Sequence, residues 1–120
     1  MTIRYHKSNS RMSELVIHEN TVYGAGQVAD DYYADAKTQT QQILANIESL
    51  LADVGSSKEH ILSVQIWLSD LSYFDQLNEV WDAWVVEDRQ PARACVESKL
   101  ANPNWKVEMM FTAALPKPKV

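Results

Sequence analysis

Two charged side chains and a thiol stand where the residue pattern is most regular. Arg93 and Cys95 lie in Pro91-Ala-Arg-Ala-Cys-Val96, and Glu108 opens Val107-Glu-Met-Met-Phe111. A guanidinium is a fixed cation with a planar fork of donors, a carboxylate can take up a proton, and a thiol attacks only when something lowers its pKa. Cys95 has no histidine placed to activate it, because His6, His18 and His60 have no partners at useful spacing. With one cysteine, the chain offers neither an internal disulfide nor a metal-ligand set, so no metal is expected. Gly24-Ala-Gly-Gln-Val-Ala29 fits the dinucleotide fingerprint formally. Asp30-Asp-Tyr-Tyr33 follows it, however, where an apolar helix should begin, so no nucleotide cofactor is expected either. An arginine or glutamate in an alternating strand is by default a solvated side chain or half of a salt bridge, so these residues form a site only if the fold brings them to one.

The elements that would do so follow from periodicity. Leu15 to His18 and Thr21 to Gly24 read as strands around a Glu19-Asn20 turn, with Asn20 the residue that tolerates a positive φ. Ile43, Ile47, Leu50, Leu51 and Val54 form one helical stripe between a cap at Asp35 and a stop at Gly55. The run Ile61 to Ser69 alternates, with Val64, Ile66 and Leu68 on one face and Ser63, Gln65 and Trp67 on the other. Phe74, Leu77, Trp81, Trp84 and Val85 then repeat at helical spacing from about Ser72 until Asp88-Arg-Gln-Pro91. Two strands close the chain. One sets Ala92, Ala94 and Val96 against Arg93, Cys95 and Glu97; the other sets Val107, Met109, Phe111 and Ala113 against Glu108, Met110 and Thr112. Pro116 to Val120 is expected to be a frayed tail. This order predicts an α+β fold, a sheet with both helices on one face.

A length of 120 residues suits one domain spanning 1–120. Apolar residues at 46% and charged residues at 22% are globular composition, with no run long enough to cross a bilayer. The start of the chain carries no export signal, which makes the cytoplasm the expected location. A net charge of -5 argues against a nucleic-acid partner.

Two helices cover one side of a sheet and leave the other bare. The uncovered face is expected to hold Gln65, Trp67, Arg93, Cys95, Glu108, Met110 and Ala114, too apolar for water and too polar for a dry core. Another copy of the chain is the simplest cover. A short connection should make the last two strands antiparallel, which puts Arg93 and Glu108 on the order of 20 Å apart within one chain. They could then act together only across a subunit junction.

Several ordered motifs resemble the RidA or YjgF-like family (reactive intermediate/imine deaminases, endoribonuclease L-PSP-like) over Val16 to Leu115. They are Gly26-Gln27; Gln39-Thr-Gln-Gln-Ile-Leu-Ala-Asn-Ile47 with Leu50-Leu-Ala-Asp-Val-Gly55; Val64-Gln-Ile-Trp-Leu-Ser-Asp70; Phe74 with Asn78-Glu-Val-Trp81; Pro91-Ala-Arg-Ala-Cys-Val96; and Val107-Glu108. The resemblance implies a chorismate-mutase-like fold, a homotrimer around a central barrel with a cleft at each junction, and cofactor-free hydrolysis of amino-acid-derived enamines and imines to 2-keto acids and ammonia. It also implies that Arg93 holds the substrate carboxylate, that Glu108 positions or activates water, and that Cys95 and Gly26 line the cleft. Two positions depart from the pattern. The family's site tyrosine falls at or beside Met12, in Arg11-Met12-Ser13, and a serine often found before the glycine is Ala25; Arg11 adds a charge nearby. With those hydroxyls gone, a binding protein for a small carboxylate or keto acid is the alternative to a deaminase. A ribonuclease fits the acidic balance least well.

Overall fold

The computed structural model describes residues 2–116. Its strands are β1 (Ile3–Ser8), β2 (Ser13–His18), β3 (Thr21–Gly24), β4 (Ile61–Leu68), β5 (Ala92–Glu97) and β6 (Val107–Ala114). Its helices are α1 (Ala36–Asp53) and α2 (Phe74–Trp84), each preceded or followed by short connections that include single 3-10 turns at Lys58–His60 and Leu71–Tyr73. The strands form one mixed sheet in the order β1-β2-β3-β6-β4-β5, as the residue pattern implied for an α+β chain with its helices on one face. The tail expected at Pro116 to Val120 lies, from residue 117 onward, outside the described residues.

Local chemistry explains the ends of α1. Asp35 accepts a hydrogen bond from the Thr38 N–H at 2.8 Å, which satisfies one of the unpaired donors of the first turn and holds the Asp35 carboxyl below its usual range. At the other end Gly55 takes φ +83, a left-handed conformation that suits glycine, and the Ser56 N–H returns to the Leu51 carbonyl at 2.9 Å. Ile43, Ile47 and Leu51 from this helix pack on Val64, Ile66 and Leu68 of β4 and on Val107, Met109 and Phe111 of β6, all buried.

Four features differ from the sequence expectation. β1 was not anticipated: nearly all of its residues are exposed, so it is an edge strand with no apolar alternation to reveal it. In the β2–β3 turn the positive φ belongs to Glu19, at 56°, and not to Asn20. α2 stops at Trp84, because Val85 adopts an extended backbone, ψ 148, well before the turn at Asp88. Finally, β5 does not lie beside β6. It pairs parallel with β4, and β4 pairs antiparallel with β6, so β4 separates them.

That last difference decides which way β5 points. Residues directly opposite in neighbouring strands share a face of the sheet. Arg93 lies opposite Val64 and Cys95 opposite Ile66, both buried under the helices, so these two side chains belong to the helix side. Their expected place on the uncovered face is therefore corrected. Ala92, Ala94 and Val96 lie opposite Ser63, Gln65 and Trp67 and occupy the bare face instead, along with Glu108, Met110 and Thr112. Tyr5, Tyr23, Val96 and Met110 are all exposed, and pairing puts each of them on this bare side.

Candidate functional site

Glu108 sits second in β6, opposite Trp67 of β4 and one residue from a bridge that joins β6 to the chain beyond β3. In that bridge the Gln27 N–H donates to the Met109 carbonyl at 2.7 Å and the Met109 N–H donates back to Gln27 at 3.0 Å. The bridge lays Gly26 against the Glu108 carboxylate so closely that a Cβ on residue 26 would overlap Glu108 Oε2. Absence of a side chain here is what lets the backbone meet the acid. Burial by these neighbours pushes the Glu108 carboxyl above its ordinary value of 4.5.

The segment leading to Gly26 is held from behind. Gln27, itself buried, donates from Nε2 to Glu14 Oε2 at 2.7 Å and to the Ala25 carbonyl at 3.2 Å, and the Ala25 N–H donates to the Glu14 carbonyl at 2.9 Å. Arg11 and Met12 form the exposed turn between β1 and β2, where their N–H groups both donate to Asn9 Oδ1, at 2.8 and 3.0 Å. Because β2 and β3 are antiparallel with Leu15 opposite Gly24, this turn lies at the same end of the sheet as Gly26 and Glu108. The structure thus gathers Glu108, Gly26, Ala25, Met12 and Arg11 at one end.

Arg93 is elsewhere in the protomer. It projects from the edge strand β5 toward α2, where its Nη1 donates to Asn78 Oδ1 at 2.8 Å. Its guanidinium carbon lies 5.1 Å from the ring centre of Trp81 and 6.0 Å from that of Phe74, within the range of cation–π attraction. Among the described residues no carboxylate comes within ion-pair distance of it. Asn78 carries no charge, so the arginine is oriented while its charge and most of its donors stay free for an anion. Cys95 is two residues on, half-buried on the same side, and burial raises its thiol pKa while the nearby Arg93 opposes that shift only in part. A raised pKa makes a poor nucleophile, in keeping with a lining role.

Three residues that shape this half of the site were not assigned a role from sequence. Phe74, Asn78 and Trp81 are spaced for one face of a helix, where Phe74 and Trp81 belong to the apolar repeat of α2; Trp81 is buried, but Phe74 is 39% exposed and flanks the arginine. A polar Asn78 within an otherwise apolar stripe was the available signal.

The two halves do not meet within one protomer. Arg93 is level with Val64 and Glu108 with Trp67, so they are about 10 Å apart along the strands and two strand spacings, about another 10 Å, across the sheet. The separation is shorter than the roughly 20 Å expected from sequence, but the two side chains lie on opposite faces, which keeps them apart more firmly than distance would.

Comparison with known proteins places the whole chain. The family model described as Endoribonuclease L-PSP matches residues 3–115. A RutC family protein of Haemophilus influenzae is 46% identical over 94% of this chain and 98% of its own length. Among solved structures, an uncharacterized protein from Pseudomonas aeruginosa superposes with a TM-score of 0.94 at 45% identity, covering 96% of this chain and 100% of that one. A member of the YjgF protein family from Neisseria meningitidis gives 0.95 at 42% identity, with 98% of each chain covered. With its sheet order, its glycine laid on Glu108 and its oriented Arg93 already in view, the chain belongs to the Endoribonuclease L-PSP family, among the RutC and YjgF-like proteins.

Proposed function

We propose that this chain hydrolyses small imine or enamine carboxylates to 2-keto acids and ammonia, without metal or organic cofactor, at clefts between the subunits of a homotrimer. One observation carries the reading. Arg93 is oriented by Asn78, Trp81 and Phe74 with no carboxylate among the described residues within ion-pair distance to neutralise it, the condition of a group awaiting an anionic ligand. In the trimer Arg93 of one protomer faces Glu108 of the next, and Gly26, Ala25 and Cys95 line the space between, with Met12 and Arg11 at its rim.

The chemistry follows from those two groups. The guanidinium fixes the substrate carboxylate through paired hydrogen bonds. Glu108, its pKa raised by burial toward the working pH, accepts a proton from a water whose oxygen bonds to the imine carbon. The C=N π electrons move to nitrogen, which takes that proton back from Glu108 to give the carbinolamine. Glu108 then accepts the carbinolamine hydroxyl proton and passes it to nitrogen as ammonia leaves and the C=O bond forms. An enamine enters the same route after tautomerising to the imine.

The bare sheet face supplies the reason for assembly. Tyr23, Val96 and Met110, each about half exposed in one protomer, give it the apolar character of a buried interface. A second reading, a non-catalytic carboxylate-binding protein, is favoured by Met12 and Ala25, which bring no hydroxyl to the Glu108 end. Ammonia release from freshly generated 2-iminopropanoate separates the two. Turnover above the spontaneous rate is expected, and Arg93→Lys should lower kcat/KM on the order of 10²-fold through loss of the bidentate fork. A wild-type rate equal to background eliminates the hydrolase, and thermal stabilisation by 2-ketobutyrate then decides whether binding remains.

A further inference from the structure

Gln39, in the first turns of α1, is completely withdrawn from solvent, yet every polar atom of its side chain is used. Its Nε2 donates to the Ala34 carbonyl at 3.0 Å, with the Asn104 and Tyr32 carbonyls at 3.2 and 3.3 Å, and its Oε1 accepts the Lys106 N–H at 2.8 Å. Lys106 is held on its other sides as well. Its carbonyl accepts the Ser69 N–H at 3.0 Å, and its ammonium donates to the Ala34 carbonyl at 3.1 Å. The ladder between β4 and β6 begins at the next residue, Val107, and Glu108 follows it.

β6 is paired with β4 at Glu108, but on its other side it has little support there. Its ladder with β3 begins only at Thr112, leaving the single bridge at Gln27 and Met109 on that side. Upstream lies the Ser98 to Lys106 connection, most of which is exposed. A buried amide is a costly way to fill a core, since each atom left unpaired is penalised, and a methionine of similar length would fill the space without that risk. What glutamine adds is direction, by tying α1, the 32–34 loop and the start of β6 at one point.

We propose that Gln39 is a positioning residue for the candidate acid: by fixing the Lys106 backbone it sets the depth of Glu108 against Gly26. The inference rests on Glu108 being the water-handling group, and it deepens that reading by naming what holds the group in place.

The test compares Gln39→Met, which keeps length and removes all these bonds, with Thr40→Val. Thr40 is equally buried, but its hydroxyl donates only to the Ala36 carbonyl within α1, at 2.7 Å. Titration of the Glu108 carboxyl by carbon-13 NMR needs no turnover. Gln39→Met is expected to return that titration toward an ordinary glutamate. It should also lower kcat for 2-iminopropanoate about 10- to 100-fold while KM, set by the remote Arg93, changes less than about twofold. Thr40→Val should lower the unfolding temperature and alter neither. An unchanged Glu108 titration in Gln39→Met, or an equal change in Thr40→Val, overturns the positioning role. Absent turnover in the wild type removes the hydrolase while the titration still judges Gln39. Should Gln39→Met not fold, hydrogen exchange in the wild type decides: the Lys106 amide should be as protected as that of Met109, and exchange at an open-loop rate refutes the proposal.

Discussion

Adding one methyl group at either of two neighbouring glycines should have opposite consequences. At Gly24 an added Cβ would overlap the Phe111 ring, a core residue only 2% exposed that is packed between sheet and helices and cannot swing away. Gly24→Ala should therefore cost about 1–3 kcal/mol as overpacking. At Gly26 the Cβ would overlap Glu108 Oε2, the far end of a flexible side chain. The carboxylate rotates aside at little cost, and the alanine loses less entropy on folding, which contributes about 0.4–1 kcal/mol in the other direction. Gly26→Ala should thus unfold within about 1 kcal/mol of the wild type. Its activity should not survive: a carboxylate displaced by about 1 Å from the water it handles costs on the order of 10²-fold, about 2.7 kcal/mol of barrier. Thermal unfolding and steady-state hydrolysis of 2-iminopropanoate, run on both variants, read the two effects separately. Wild-type kcat/KM in Gly26→Ala, or a stability loss matching that of Gly24→Ala, would refute the claim that Gly26 exists to admit the acid.

Two further expectations concern charge and assembly. Because burial lifts the Glu108 carboxyl, the folded chain keeps this proton to a higher pH than the unfolded one; the group's contribution to stability is greatest in acid and falls as pH rises from about 4.5 through the raised value. Glu108→Gln, which never ionises, should accordingly unfold at a higher temperature than wild type at pH 7. That advantage should vanish below about pH 4, and an advantage independent of pH would show that burial of charge is not its source. Placing a charge on the bare sheet face by Val96→Asp or Met110→Asp should convert a trimer into monomers in sedimentation velocity at micromolar concentration. A wild-type chain that sediments as a monomer would contradict the assembly itself.

Where the residue pattern was informative, it was so because burial imposed it. β4 alternates cleanly because Val64, Ile66 and Leu68 lie under two helices, and α1 shows its stripe, its Asp35 cap and its Gly55 stop for the same reason. β1 has no such constraint: both its faces are largely exposed, so Ile3 to Ser8 carries no periodic mark. Val85 continued the apolar repeat of α2 while its backbone had already left the helix, since a side chain can pack on the core from either conformation. The face of β5 was misassigned for a topological reason. Alternation divides Ala92, Ala94 and Val96 from Arg93, Cys95 and Glu97, but it does not say which set meets the helices, and nothing local announces that β4 enters between β5 and β6.

The corrected face strengthens the case for a composite site. Had Arg93 and Glu108 shared a face about 14 Å apart, two long side chains bending toward each other could have approached within one protomer. On opposite faces they cannot, because β4 stands between them and its Val64 and Trp67 are the residues each is level with. The small and apolar side chains of β5 point to the bare side, where a neighbouring sheet can pack closely, while Arg93 leans over the edge onto α2 with one Nη1 donor held by Asn78. In the proposed assembly such an edge strand would serve as a packing surface on one side and as the anion receptor on the other. A second copy lying against that edge would then do two things in one contact: cover Val96 and Met110, and bring its own Glu108 end toward the arginine.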